Sequence, residues 1–146
     1  MKLQLITVGE TYDKSVKVLA DEYAGRINRY YKFEMLAITA SNANEEGKLL
    51  LKKIQENDTV VLLDEKGKEL GSVDFSKQLN QWLNAGRNVV FVIGGAYGFS
   101  EAMYARANYK LSLSKMTFPH QLIRALFTEQ LYRACTILRN EKYHHE

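Results

Sequence analysis

Short alternating or continuously apolar runs, separated by stretches with apolar residues every three or four positions, divide this chain into strands and helices. Lys2 to Val8 alternates and stops at Gly9, which predicts a first strand and a turn. From Tyr12 to Tyr30 the apolar positions Val16, Leu19, Tyr23 and Ile27 follow helical spacing, with Lys14, Lys17 and Asp21 on the other face. Phe33 to Thr39 predicts a second strand, SNANEEG a polar turn, and Glu45 to Glu56 a helix whose Lys48, Lys52 and Lys53 face solvent. Thr59 to Asp64, TVVLLD, is a short apolar run closed by EKGKELG, the pattern of a buried parallel strand. Asp74 to Ala85 predicts a helix with Phe75, Leu79, Trp82 and Leu83 inward and Gly86 as its stop.

The stretch from Val89 to His120 organises the rest. A central strand, Asn88 to Ile93, ends abruptly in GGAYG, and a helix opens at Ser100 with Glu101 in its first turn. A further strand, Tyr109 to Leu113, leads into SLSKMTFPH, so the two turns are expected side by side. The last helix runs from Pro119, the only proline, to about Leu138. Its apolar set, Leu122, Ile123, Leu126, Phe127, Leu131, Ala134, Cys135 and Leu138, is wider than one stripe, enough to pack on a sheet and on a second subunit. Strands alternating with helices of these lengths predict an α/β fold with a parallel sheet covered on both faces.

Composition narrows the picture. With 146 residues, 46% of them hydrophobic, residues 1–146 are expected to form a single domain. A net charge of +3 permits an anionic partner without demanding one. Arg26, Arg29 and Lys32 gather with Tyr30 and Tyr31 at a helix end, which reads either as an ordinary solvated terminus or as an RNA-contacting patch. The single cysteine, Cys135, excludes an internal disulfide and a multi-cysteine zinc site, and its apolar stripe makes it a core residue. No signal peptide opens the sequence and no apolar run approaches the ~20 residues of a membrane span, pointing to a soluble cytoplasmic protein. Asp64 and Glu65 are adjacent in a predicted strand, where neighbours point to opposite faces, so they are not expected to cooperate.

GGxxG alone is a weak signal, since it lacks the spacing of GxGxxG and no GKS or GKT follows. Together with MKLQLITVG at the start, VIGGAYG, LSLSKMTFPHQLIRALFTEQLYRA and the closing YHHE, however, the chain resembles end to end the ribosomal RNA large subunit methyltransferase H family of the SPOUT methyltransferases. It departs at Ala96, where many members carry proline. The resemblance implies an α/β fold with a trefoil knot near the C-terminus, a homodimer, and S-adenosylmethionine bound in the knot. The implied cofactor contacts are Leu63, Gly94, Leu113, Ser114, Lys115, Met116, Thr117 and Phe118. The implied activity is methylation of N3 of a pseudouridine in 23S ribosomal RNA on the assembled ribosome.

The chemistry of these residues suits that activity. Backbone groups of a glycine turn and of LSLSKMTF can read the edge of an adenine ring while Leu63, Leu113 and Phe118 cover its faces. Methyl transfer from an activated sulfonium requires alignment rather than a metal. The N3 imide must lose a proton, and a histidine with a pKa near ~6.5 can accept it. His120 and His144 are the candidates by motif; Tyr143 and His144 share the matching tail, and the base stays open between histidine and solvent. Arg124, Glu129, Arg133 and Arg139 on the last helix remain for pairing or for RNA, with Arg133 suited to a phosphate or carboxylate. A noncatalytic RNA-binding protein of the same fold, a SPOUT methyltransferase with another RNA target, and a flavodoxin-like reductase are the competing expectations.

Overall fold

Five parallel strands form one sheet in the order β2-β1-β4-β3-β5, and the helices between them cover both faces. The computed structural model describes residues 1–145; Glu146, the last residue of the YHHE tail, lies outside the described residues. In chain order the elements are β1 (Leu3–Val8), α1 (Lys14–Ile27), β2 (Phe33–Ile38), α2 (Ala43–Lys53), β3 (Thr59–Glu69), α3 (Ser72–Asn84), β4 (Val89–Ile93), α4 (Glu101–Arg106), β5 (Tyr109–Ser112) and α5 (Leu122–Leu138).

Alternation along the strands sorts their side chains into two cores. Leu3, Leu5, Val61, Leu63, Val89, Phe91 and Ile93 meet α1, α3 and α5 through Ile27, Phe75, Leu79, Trp82, Leu83, Phe127, Leu131 and Cys135. On the opposite face, Ile6, Val60, Leu62, Val90 and Val92 meet Leu50 of α2 and Met103 of α4. The inward set expected for α3 is buried as a whole, and Gly86 stops the helix at φ +75°. Cys135 is 1% exposed, and burial pushes its thiol up to about 12, as a core cysteine requires.

Several boundaries differ from expectation for identifiable reasons. The α1 helix starts at Lys14 rather than Tyr12 because the Asp13 carboxylate caps it, accepting from Ser15 N at 3.0 Å and Val16 N at 3.1 Å. Its buried face is Val16, Ala20 and Ile27; Leu19 is 42% exposed, since small Ala20 is what the close packing against α5 accepts. The α5 helix starts at Leu122, with the Pro119 carbonyl accepting from Ile123 N and His120 and Gln121 forming a turn before it. Gln121 is held there by the α1 entry, accepting from Tyr12 N at 2.9 Å and donating to the Glu10 carbonyl at 3.1 Å.

Two further corrections concern strand β3 and Arg124. The strand does not close at Asp64 but continues to Glu69, with its pairing to β5 shifting register between Leu63 and Lys68. Gly67 lies directly on the β5 backbone there: a Cβ would come within 2.6 Å of the Lys110 carbonyl carbon, so EKGKE bulges over β5 instead of leaving the sheet. Arg124, expected to be free for pairing or RNA, is 2% exposed. Its guanidinium donates to the carbonyls of Val8 (3.1 Å), Gly9 (2.9 Å) and His120 (3.1 Å) and to the Thr11 hydroxyl (2.9 Å). Among the described residues no helix is long and apolar enough to cross a membrane, and no group of three or more His, Cys, Asp or Glu converges.

Removing the Arg124 head while keeping its bulk deletes all four of these hydrogen bonds, which join α5 to the end of β1, the loop after it and the turn before the helix. Arg124→Met should therefore destabilise the fold by ~3 kcal/mol or more, read as a lower midpoint in urea unfolding followed by far-UV circular dichroism. A midpoint equal to that of the parent chain would show that water replaces the guanidinium at no cost.

Candidate functional site

Leu63 of β3, Ile93 of β4 and Leu111 of β5 stand in register, Leu63 just before the β3 bulge and the other two near the carboxyl ends of their strands, and the segments that follow them enclose a cavity of about 350 Å³. Of the residues expected to hold a cofactor, Leu63, Gly94, Leu113, Ser114, Met116, Thr117 and Phe118 line it. Lys115 does not: its side chain is 89% exposed and its ammonium lies 3.9 Å from Glu69. The two turns, GGAYG and the segment 113–118, face each other across this cleft, as the sequence predicted.

The glycines of the first turn serve the protein's own packing. A Cβ on Gly94 would sit 3.1 Å from the Phe99 ring, and one on Gly95 would sit 3.0 Å from Val8 Cγ1. Gly98 adopts φ +71° and its N–H donates to the Gly95 carbonyl at 3.2 Å, closing the turn. Ser100 caps α4, accepting from Met103 N, which fixes Phe99 and places its ring edge-on to Tyr104 at 5.8 Å. Across the cleft, the second turn is tied by the Ser112 hydroxyl donating to the Ser114 carbonyl at 2.7 Å, and by the Ser114 hydroxyl accepting from Met116 N at 3.0 Å.

Both Asp64 and Glu65 line the cavity, against the expectation from strand alternation, because the chain bulges after Leu63 and the strict two-residue period lapses. Asp64 accepts from the Tyr104 hydroxyl at 2.7 Å and from Lys66 N at 3.0 Å; Glu65 accepts from the Thr117 hydroxyl at 2.9 Å. Burial and the Asp64 hydrogen bond push the Tyr104 phenol up to about 12. Sequence reasoning missed Tyr104, Phe99 and these carboxylates, and only the glycine spacing hinted that the turn would bring α4 over the strand ends.

His120 lies on the rim of the same cavity, but Tyr143 and His144 do not. Tyr143 packs edge-on to Tyr132 at 4.7 Å, the Arg133 guanidinium lies 4.8 Å from its ring centroid, and Arg133 Nη1 is 3.1 Å from His144 Nδ1. Arg133 is oriented by Glu129, its Nε donating to the carboxylate at 3.0 Å. The rise of α5 puts Arg133 ~15 Å beyond Ile123, which lines the cleft. The Arg26 group lies beside the tail instead, its guanidinium 5.4 Å from the Tyr23 ring and 5.3 Å from the Tyr132 ring.

A ligand-sized cleft at the carboxyl ends of a parallel sheet, walled by a glycine turn, defines an α/β protein of the nucleotide- and cofactor-binding kind. Residues 1–144 match the family described as predicted SPOUT methyltransferase. In an alignment of 157 positions covering 100% of both chains, the sequence is 47% identical to ribosomal RNA large subunit methyltransferase H of Flavobacterium johnsoniae. It is 48% identical, again over 157 alignment positions and 100% of both chains, to the protein of the same name in Parabacteroides distasonis. The chain therefore belongs to the ribosomal RNA large subunit methyltransferase H family of SPOUT methyltransferases. Among solved structures, the SpoU methyltransferase AviRb from Streptomyces viridochromogenes aligns at 13% identity with a TM-score of 0.49, covering 96% of this chain, which spans 61% of that chain's length.

The Tyr104–Asp64 pair has a pH signature. An unfolded tyrosine ionises near ~10, whereas folded Tyr104 keeps its proton to about 12. Its contribution to stability is complete below ~10 and is lost as pH rises through about 12. The thermal midpoint of the parent chain should therefore exceed that of Tyr104→Phe at pH ~8 and the gap should close by pH ~12. A gap independent of pH in this window would mean that the hydroxyl is not coupled to Asp64.

Proposed function

We propose that the protein uses S-adenosylmethionine to methylate N3 of a pseudouridine in the 23S ribosomal RNA of the assembled ribosome, acting in the cytoplasm as a homodimer of single-domain chains. The observation that carries this reading is the cleft between the β3 bulge and the segments that follow β4 and β5, where nearly every residue expected from the family lines one cavity. The relatives of the same family are named ribosomal RNA large subunit methyltransferase H, which supports ribosomal RNA as the substrate. The trefoil threading implied by the resemblance belongs to the same proposal.

The lining fits the cofactor. Leu63, Leu113 and Phe118 give a flat ring apolar walls, the Ser114 and Thr117 hydroxyls and the turn backbones offer polar contacts, and Asp64 and Glu65 face it with negative charge. Bound there, S-adenosylmethionine supplies a methyl group already activated on a sulfonium. The chain's own residues have the remaining tasks: holding the base in line, excluding water and accepting the N3 proton.

His120 stands on the cleft rim of its own chain, while Tyr143 and His144 pack beyond its reach on α5. In a homodimer the tail of one protomer would serve the cleft of the other. Leu122 and Leu126 of α5, 41% and 37% exposed, are apolar surface that such a partner would cover. Arg133 would fix the tail, its guanidinium held by Glu129 on one side and covering Tyr143 on the other. Arg26, which lies beside the Tyr132 ring and is paired with Glu22 at 2.7 Å, adjoins the tail and would extend its surface toward RNA. With a net charge of only +3, few phosphate contacts are available, so an ordered ribosomal surface suits the protein better than free RNA.

Two experiments test this reading. In calorimetric titration the parent chain should bind S-adenosylmethionine and Gly94→Val should not, because a larger side chain displaces Phe99 from the cleft wall; its circular dichroism should remain that of a folded protein. Equal affinity of the two would remove the cofactor from this cleft. Labelled methyl incorporation should be faster on intact ribosomes than on separated subunits or purified RNA. Deleting Tyr143 to Glu146 should lower it ~100-fold or more while sparing cofactor affinity. Equal rates on all substrates, or a fully active truncated protein, would overturn the assignment.

A further inference from the structure

The charged lining of the cleft is one-sided in a protein that is otherwise mildly basic. Asp64 and Glu65 line the cavity, no lysine or arginine does, and the neighbouring Lys115 points out toward Glu69. His120 on the rim and the phenol of Tyr104 are the other titratable side chains there. Glu65 is exposed and its charge is screened by solvent. Asp64 is half-buried, and it is clamped from two directions, by the Tyr104 hydroxyl at 2.7 Å and by Lys66 N at 3.0 Å. A carboxylate fixed in this way needs no rearrangement to act on a ligand, and the apolar walls around it, among them Leu63, Ile93 and Phe99, keep its field from being dissipated.

Resting on the reading of this cleft as the S-adenosylmethionine site, we propose that Asp64 is a specificity-determining residue whose charge makes the cleft prefer the cationic methyl donor over the neutral thioether, S-adenosylhomocysteine, that remains after transfer. The two ligands share adenine, ribose and amino-acid groups, so contacts to those groups cannot distinguish them. They differ by a methyl and by one positive charge at sulfur, because the electron pair of the broken sulfur–carbon bond stays on sulfur. In a cavity of about 350 Å³ every ligand atom lies within the range of a fixed carboxylate. Transfer of the methyl thus cancels part of the attraction at the moment when the product must leave. Tyr104, which holds Asp64, acts as its positioning residue.

The test is calorimetric titration of both ligands against the parent chain, Asp64→Asn and Tyr104→Phe. For a charge pair at ~8 Å in a partly solvated cleft, Asp64→Asn should weaken S-adenosylmethionine binding about fivefold and leave S-adenosylhomocysteine within about twofold. Tyr104→Phe should shift the ratio of affinities in the same direction by less. In the parent chain the ratio should fall between ~0.05 M and ~0.5 M salt, and in Asp64→Asn it should not. Equal losses for both ligands would assign Asp64 to a group they share, such as a ribose hydroxyl or the amino-acid ammonium, and overturn the proposal; so would no loss for either. Should Asp64→Asn fail to fold, a salt-independent ratio in the parent chain overturns it and a falling ratio supports it. A parent chain that binds neither ligand would overturn the cofactor assignment itself and this proposal with it.

Discussion

The guanidinium of Arg124 is the contact on which the site's architecture depends. It is buried on α5, yet what it grips lies elsewhere: the carbonyls of Val8 and Gly9 at the end of β1, the Thr11 hydroxyl in the following loop, and the His120 carbonyl in the turn before its own helix. One planar cation bonds these half-buried or exposed oxygens together, sharing the Gly9 carbonyl with the Thr7 hydroxyl. Burial lowers its pKa from the ordinary arginine value, and its bonds go to neutral oxygens rather than to a carboxylate. The result is a fixed distance between the sheet centre and the start of α5, and hence a fixed anchor for the Pro119–His120 end of the second turn. Gln121 reinforces the same junction from the α1 side.

The other wall is set by a departure from regular β structure. Gly67 allows β3 to bulge against the backbone of β5, and this turns both Asp64 and Glu65 toward the cleft. Asp64 then bonds to Tyr104 of α4 and Glu65 to Thr117 of the second turn, so the bulge links the helix on one side of the cleft to the loop on the other. A regular strand would have sent one of the two carboxylates to the opposite face. The site's negative field and its shape thus share one cause.

The tail poses a different problem of distance. Glu129 and Arg133 of α5 form a connected group with Tyr143 and His144 of the tail, next to Tyr23, Arg26 and Tyr132, while the cleft opens at the other end of the helix. A helix keeps its ends apart, so one chain carries both halves of the proposed machinery without joining them. In the proposed homodimer, symmetric pairing of two chains would join them without any change in either fold. The width of the apolar set on α5, noted in the sequence as more than a sheet face needs, acquires a use on this reading.

What the sequence determined by itself is whatever depends on short-range periodicity and turn chemistry. The alternation of β and α, the burial of Phe75, Leu79, Trp82 and Leu83, the stop at Gly86, the cap at Ser100 and the meeting of the two turns all follow from spacing, because each is set by which face of one element is apolar. The family motifs located the cleft for the same reason, being contiguous in the chain. Tertiary structure alone decided the rest. Arg124 looks like any helical cation until the carbonyls of β1 surround it; Asp64 and Glu65 look opposed until Gly67 lets the strand bulge; Lys115 lies within a cofactor motif yet turns away toward Glu69. In each case the deciding partner is distant in the chain and presents backbone or a single side chain, which leaves no periodic trace in the sequence.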